Sequence, residues 1–360
     1  MVKFLVKGNR KYIALLFFVV LYFAVCQIII NSLSNHTNTL LHLDSHQENQ
    51  DVPIQLPKII SDSLVGHDVR AIKPRKTPIL FIDGFTLNDE LDMLELRIEE
   101  LKHVVDYFVI VEAKFTFQNT PKTLHFQMNK KRFEKYSDQI IHIIVDSGAQ
   151  KFEYWENEVK FRNAIGRFGI QQVKKILNEK NKKLSDEDLI MISDVDEFPK
   201  PQIIEFLKTH QGYPALTKLD LRWSYYSFLW LNKGPWVIKA VVNVGDLGRY
   251  TNNTYDTNWV RFNGIEIPEQ NTWTIGKRGE WSGWHCSWCV QPESMKVKLE
   301  SFAHKELNLE HYKSLEELNK RRKNGMWFNG VVEGDRVTPT SHDTIPETVI
   351  KNKKFEYMLD

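Results

Sequence analysis

Cysteine is scarce in this chain, three in 360 residues. Only Cys286 and Cys289, in "WHCSWC", form a C-x-x-C, and no second pair exists to complete a structural zinc site. In an oxidising compartment they would make a local disulfide; two buried thiols are the other reading. Excess charge is missing too: 48 basic against 46 acidic residues leave +2, which argues against a nucleic-acid binder with its basic face. No G-x-x-x-x-G-K-S/T or G-x-G-x-x-G run occurs, so P-loop and dinucleotide sites lose their sequence support. Nor is there a repeat of solenoid or propeller period. With 42% hydrophobic residues, the chain can build one large domain or two small ones.

One long apolar run is present. "YIALLFFVVLYFAVCQIII", Tyr12 to Ile30, is interrupted only by Gln27 and is long enough to cross a bilayer as a helix. Lys3, Lys7, Arg10 and Lys11 precede it, and the next basic residue is Lys58. The positive-inside rule then keeps residues 1–11 cytoplasmic and puts the rest in a lumen, as a single-pass type II protein. A cleaved signal peptide would have a shorter core. Residues 31–76 are polar, with scattered prolines and no helical or strand period, and read as a stem. Sequons at Asn35 and Asn252 agree with a lumenal location but also occur by chance.

From residue 77 the pattern predicts a lumenal α/β domain with a nucleotide-sugar half, 77–200, and an acceptor half, 201–360. Strand-like runs at "PILFI", "DYFVIVEA", "QIIHIIVD" and "DLIMIS" lack strict in–out alternation, as in strands covered on both faces. "TLND", Thr86 to Asp89, matches a capping box. The helix after it shows Leu91, Leu94, Ile98, Leu101 and Val105 on one face, and a longer amphipathic helix is expected over about Tyr154 to Asn178. Alternating strands and helices imply an open, mainly parallel sheet, with ligands beyond the strands' carboxyl ends.

The strand "DLIMIS" runs straight into "DVDEF". Asp194, Asp196 and Glu197 would repel one another without a positive partner. Two aspartates two residues apart point to one side of an extended segment. Their hard oxygens suit Mg²⁺ or Mn²⁺ completed by diphosphate oxygens; an exposed acidic turn is the bland alternative. Eight of the ten tryptophans lie between Trp223 and Trp288. Such rings suit the apolar faces of sugars, and two or three of them are expected at a ligand.

In order along the chain stand "LNDELDMLELRIEEL", "VVDYFVIVEAKFTF" with "PKTLHF", "LIMISDVDEFPKP", "GWHCSW" and "ESFAHKELN". Together these blocks resemble the β-1,4-mannosyl-glycoprotein 4-β-N-acetylglucosaminyltransferases, the bisecting-GlcNAc transferases of glycosyltransferase family seventeen. The resemblance covers about Pro78 to Asp360. It implies a GT-A-like fold, UDP-GlcNAc as donor, a divalent metal, a Golgi membrane address, and inversion at the anomeric carbon during transfer to a glycoprotein N-glycan. "SFAHKELN" departs from the animal members, so the donor class is better supported than the acceptor.

On this reading Asp194 and Asp196 hold the metal, with His304 as candidate third ligand unless it is a core histidine, and Glu197 either orients them or caps the turn. Glu112 and Asp146 would meet ribose or uracil, and Arg162 the diphosphate unless it forms a helix-surface salt bridge. Lys277 and Arg278, between Gly276 and Gly279, would close over the phosphates unless they form an ordinary hairpin tip. For the acceptor's proton the candidates are His285, then Glu280, then Asp246. An aspartyl-phosphate phosphatase is disfavoured, because Asp196 is followed by Glu197 and Phe198. Another donor or acceptor, or a glycan-binding protein without transfer activity, are the alternatives.

Overall fold

Strand parity organises the domain in the computed structural model, which describes residues 56–146, 154–263, 267–338 and 344–360. The expected anchor and most of the stem lie outside these residues. Among the described residues no helix is long and apolar enough to cross a membrane. Strand β1 (Phe81–Thr86) leads to helix α1 (Leu91–Leu101), β2 (Tyr107–Ala113), β3 (Ile140–Val145) and helix α2 (Tyr154–Ala164). A π-turn, Ile165–Gly169, joins α2 to α3 (Ile170–Glu179), and β4 (Leu189–Asp194) follows. Along these strands alternate residues enter two different cores. Phe81, Phe108, Ile110, Leu189 and Met191 pack under α1. Ile82, Val109, Val111, Ile190 and Ile192 pack under α2, the π-turn and α3. Both faces are covered, so the strands read as unbroken apolar runs. Gly84 is needed where Ile165 presses on the strand, since a Cβ there would overlap the Ile165 side chain.

The expected long helix is present, interrupted by the π-turn. The capping box at Thr86 does not form: α1 starts at Leu91, and Glu90 accepts from the Asn88 N–H at 3.1 Å instead. β3 is an edge strand, with Ile144 40% exposed, rather than a covered one.

After β4 come β5 (Glu197–Pro199), α4 (Pro201–Thr209), β6 (Leu216–Tyr225), β7 (Ser227–Asn232) and β8 (Trp236–Asn243). Then follow α5 (Val244–Tyr250), β9 (Thr272–Ile275), β10 (Gly283–Ser287), α6 (Pro292–Ser301), α7 (Leu315–Asn324) and β11 (Gly334–Arg336). The sheet order is β11-β7-β6-β8-β4-β1-β2-β3, with β9 and β10 added along β6 and β5 paired to β10. Strands β4, β1, β2 and β3 are parallel, while β8, β6, β7 and β11 join antiparallel. The sheet is therefore mixed, not mainly parallel. In the second half β6 and β7 are joined through Tyr226 alone as an antiparallel hairpin, a connection too short for parallel neighbours.

The sheet is continuous across residue 200, because β8 pairs with β4. The domain also begins before residue 77. Helix Lys58–Ser63 buries Ile60, and Leu64 and Ile72 join the same core as α1. Lys73 and Pro74 pair with Gln211 and His210. Residues 56–76, expected as the end of the stem, are part of the folded unit.

Candidate active site

β4 ends at Asp194, and a turn at Val195 and Asp196 separates it from β5. Asp194 precedes this turn and Asp196 lies within it, so the two do not share an extended segment, yet both face one cavity of about 950 Å³. Asp194 meets Arg162 of α2 at 3.0 Å and Arg261 at 3.9 Å. Asp196 meets Lys298 of α6 at 3.2 Å and lies 3.9 Å from His285 Nε2. Lys298 also reaches Glu90 at 3.8 Å. The positive charge that the acidic strand end demands thus comes from three distant parts of the chain. Burial would raise the Asp194 carboxyl, but Arg162 and Arg261 outweigh it and hold it well below the ordinary range. Burial would lower Lys298, but Asp196 and Glu90 outweigh it and raise the ammonium above its ordinary value.

Behind the turn lies a fully buried arginine. Arg97 donates to Asp83 Oδ2 at 2.8 Å, to Ser193 Oγ at 2.7 Å, and to the carbonyls of Asp194 and Glu197 at 2.7 and 2.9 Å. It thereby fixes the backbone that carries both aspartates. Its signal in the sequence is a charged residue on the apolar stripe of α1, beside Leu94, Ile98 and Leu101. Glu197 is completely buried and accepts from the Asp194 N–H at 2.9 Å and the Trp236 indole at 2.8 Å, with Arg261 at 3.1 Å. It orients its neighbours.

The other wall is aromatic. β10 pairs His285 with Glu197 and Trp284 with Phe198, and the Cys286 N–H donates to the Asp196 carbonyl at 3.1 Å. "GWHCSW" and "SDVDEFP" are thus direct neighbours. Cys286 and Cys289 form a disulfide that closes a turn with Trp288 at φ +62°. Trp223, Trp236 and Trp288, three of the eight clustered tryptophans, line the cavity. Trp273 and Trp284 fill the core.

His285 packs against Trp236, with ring centroids 4.1 Å apart. Its Nε2 is 2.8 Å from Ser287 Oγ, and its buried Nδ1 has no partner. Burial pushes the imidazole below its ordinary pKa despite the pull of Asp196, so the ring is neutral near neutral pH.

The remaining expected residues are placed elsewhere. Glu112 lies on the opposite face of β2 from the cavity-lining Val111 and Ala113. It is buried and accepts from the Phe126 and Gln127 N–H groups at 2.8 and 3.1 Å, with His142 at 2.9 Å. One residue of parity removes it from the site. Asp146 pairs with Lys114 at 2.5 Å beyond the edge strand. Lys277 pairs with Asp62 and Glu280 at 3.1 and 3.2 Å at a hairpin tip, where Arg278 donates to the Lys233 carbonyl. Glu280 also binds Lys58, so it is no base for this cavity. Asp246 pairs with Arg249 and accepts from Asn243 in the cap of α5. None of these six lines the cavity.

His304 stands at the rim, 54% exposed, with Nδ1 2.6 Å from Glu306. It does not join the aspartates as a third ligand. Among the described residues no group of three or more His, Cys, Asp or Glu is arranged to hold a metal. Two carboxylates facing one cavity do fit a hard divalent ion whose other ligands are water and diphosphate oxygens. Arg97, Arg261, Lys298 and Glu90 escaped the sequence reading. Only Arg97 carries a periodicity signal; the others are brought in by tertiary packing.

Acids and cations meeting at strand ends over a large cavity define an α/β enzyme cleft. The model of glycosyltransferase family 17 matches residues 7–259, and the chain belongs to that family. The β-1,4-mannosyl-glycoprotein 4-β-N-acetylglucosaminyltransferases of Homo sapiens and Mus musculus are 27% and 26% identical to it over 328 residues. The match covers 85% of this chain and 59% of each relative, so the chain spans about three-fifths of their length. A mannosyltransferase from Pyrobaculum calidifontis, solved with GDP-Man and Mn²⁺, superposes with a TM-score of 0.31 at 9% identity, covering 69% of this chain and 72% of its own. So loose a likeness carries no argument.

Proposed function

We propose that the cleft transfers N-acetylglucosamine from UDP-GlcNAc to a glycan acceptor with inversion, forming a β-1,4 bond to the core mannose of protein N-glycans. The observation that carries this reading is the position of the Asp194–Asp196 turn, between strand ends on one side and Trp223, Trp236 and Trp288 on the other. Membership of the family and the names of the relatives support the donor and the linkage. A GT-A-like fold and a type II Golgi membrane location with the catalytic domain in the lumen belong to the same proposal.

Asp194 and Asp196 would hold Mn²⁺ or Mg²⁺, which when bound offsets charge growing on the departing UDP. Arg162, Arg261 and Lys298 present fixed cations toward the same oxygens. The tryptophans and His285 offer flat apolar faces and polar edges to the acceptor. His285, neutral and beside the acids, is the candidate to take the proton from the attacking hydroxyl. The bond from the anomeric carbon to the diphosphate oxygen breaks as the bond to the acceptor oxygen forms.

The test is UDP release by the full-length protein from a panel of UDP-sugars with Mn²⁺. Release from UDP-GlcNAc that rises with a core-mannosylated N-glycan and stops with EDTA is expected. Silence with every donor, from folded protein that still binds glycan, would overturn the reading.

A further inference from the structure

We propose that the Cys286–Cys289 disulfide is a positioning element of the cleft and acts through the tryptophan inside it: the closed turn holds Trp288 as the support on which Lys298 and Phe302 rest. The consequence for transfer rests on the donor reading above; the support itself does not. The residues of the turn go to opposite sides. Cys286 and Cys289 are buried in the core under α1. Trp288 turns away from them into a third cluster with Tyr226, Val290, Met295, Leu299 and Phe328. Its φ of +62° is a left-handed conformation that glycine takes freely and a bulky side chain only against a steric cost. A chain that needed nothing but a turn here would be served by Gly or Asn. An indole kept at such a backbone position implies a use for the ring.

That use follows from what the ring touches. Lys298 Nζ lies 5.5 Å from the centroid of the Trp288 ring, and Phe302 and Phe328 stand edge-on at 5.2 and 5.0 Å. Trp288, Lys298 and Phe302 all line the cavity. Trp288 is only 3% exposed, so its ring works chiefly by holding the other two in place. The same turn ends β10, where the Cys286 N–H donates to the Asp196 carbonyl at 3.1 Å.

The bridge is what keeps the turn closed. It holds the Cα atoms of Cys286 and Cys289 5.5 Å apart, whereas three extended residues would span about 10 Å. Within it the Cys289 N–H donates to the Cys286 carbonyl at 3.3 Å and the Val290 N–H to the Trp288 carbonyl at 2.8 Å. As a device for stability alone the bridge is poorly placed. Loop closure gives a disulfide least where the loop is shortest, and the left-handed tryptophan offsets part of that gain.

The experiment is a double-mutant cycle on the full-length protein made in an oxidising compartment: wild type, Trp288→Ala, Cys286→Ala with Cys289→Ala, and all three together. It reads the KM for UDP-GlcNAc and the near-ultraviolet circular dichroism that Trp288→Ala removes with and without the bridge. Trp288→Ala and loss of the bridge should each raise the donor KM about fivefold, the worth of one cation–aromatic contact. The triple variant should stay near that value, because the bridge acts through the ring; independent effects would multiply to about 25-fold. The tryptophan difference band should be strong with the bridge and collapse without it. An unchanged donor KM on losing the bridge, multiplied effects, or an unchanged difference band overturns the inference. So does alkylation of both Cys286 and Cys289 in denatured, unreduced wild type. If the bridge-free variant fails to fold, folded wild type reduced by a dithiol, whose own sulfurs join as Cys286 and Cys289 become thiols, takes its place. No transfer from any UDP-sugar, with a difference band that still depends on the bridge, would sink the donor reading and leave the support standing.

Discussion

The two walls of the cleft hold their side chains by different means. At the acidic turn, position depends on opposed charges: Arg97 against Asp83, Arg162 against Asp194, Lys298 against Asp196. At the aromatic wall it depends on strand pairing, ring packing and the Cys286–Cys289 bond. Buried charge is unforgiving, because removing one partner strands the other. Ring packing is graded, because neighbouring side chains still cover part of what is lost. The acidic turn should therefore fail all at once, and the aromatic wall should be adjustable. On the proposed function that suits a constant donor and a variable acceptor.

The sharpest way to break this contrast is Arg97→Met. Stranding the fully buried Asp83 should cost about 3–5 kcal/mol in urea unfolding. Burial already pushes the Asp83 carboxyl above its ordinary pKa, even with Arg97 beside it. In the variant that pKa rises further, so the carboxyl binds its proton more readily in the folded state. The loss should then be smaller at pH 5 than at pH 8. Equal loss at both would mean that Asp83 is not the stranded charge.

Next in size, Asp194→Ala and Asp196→Ala should each lower transfer by about 10²–10³-fold with near-wild-type circular dichroism. Near-normal metal-dependent transfer by either variant would remove the aspartates from the centre. A milder effect belongs to Trp223→Ala, which should raise the acceptor KM by about tenfold, the worth of one aromatic contact, and leave UDP affinity unchanged. If it abolished turnover as fully as Asp194→Ala, the two walls would not differ as argued.

Smallest in its effect on transfer itself is Asp89, whose carboxyl is pushed up to about 7, first by burial and then by Glu90. A carboxyl raised on folding stabilises below its unfolded pKa of about 4, and that contribution fades as pH climbs through 7. Wild-type stability should accordingly decline between pH 5 and 7.5, and Asp89→Asn should flatten the decline. Parallel curves for the two proteins would assign it to other groups.

The class of the domain was legible because apolar runs such as Tyr107–Ala113 and Leu189–Asp194 favour strands covered on both faces, as these two are. The cleft's acids were legible because charge at the end of such a run demands a partner. The rest was lost for local physical reasons. Glu112 failed by one step of strand parity. The helix start at Thr86 failed because Glu90 supplied the acceptor instead. Residues 56–76 looked like stem because their scattered isoleucines and leucines show no period, although Ile60, Leu64 and Ile72 are buried by segments far along the chain.

By itself, then, the sequence determined a double-covered α/β sheet, an unpaired acidic strand end, and blocks shared with one family of glycosyltransferases. The tertiary structure decided which cations answer those acids. Arg162, Arg261 and Lys298 lie 32, 67 and 102 residues from the aspartates they face, and no local pattern encodes a pairing across such distances. A carboxylate specifies that a cation must come. Only packing, which sets burial and distance together, specifies which one does.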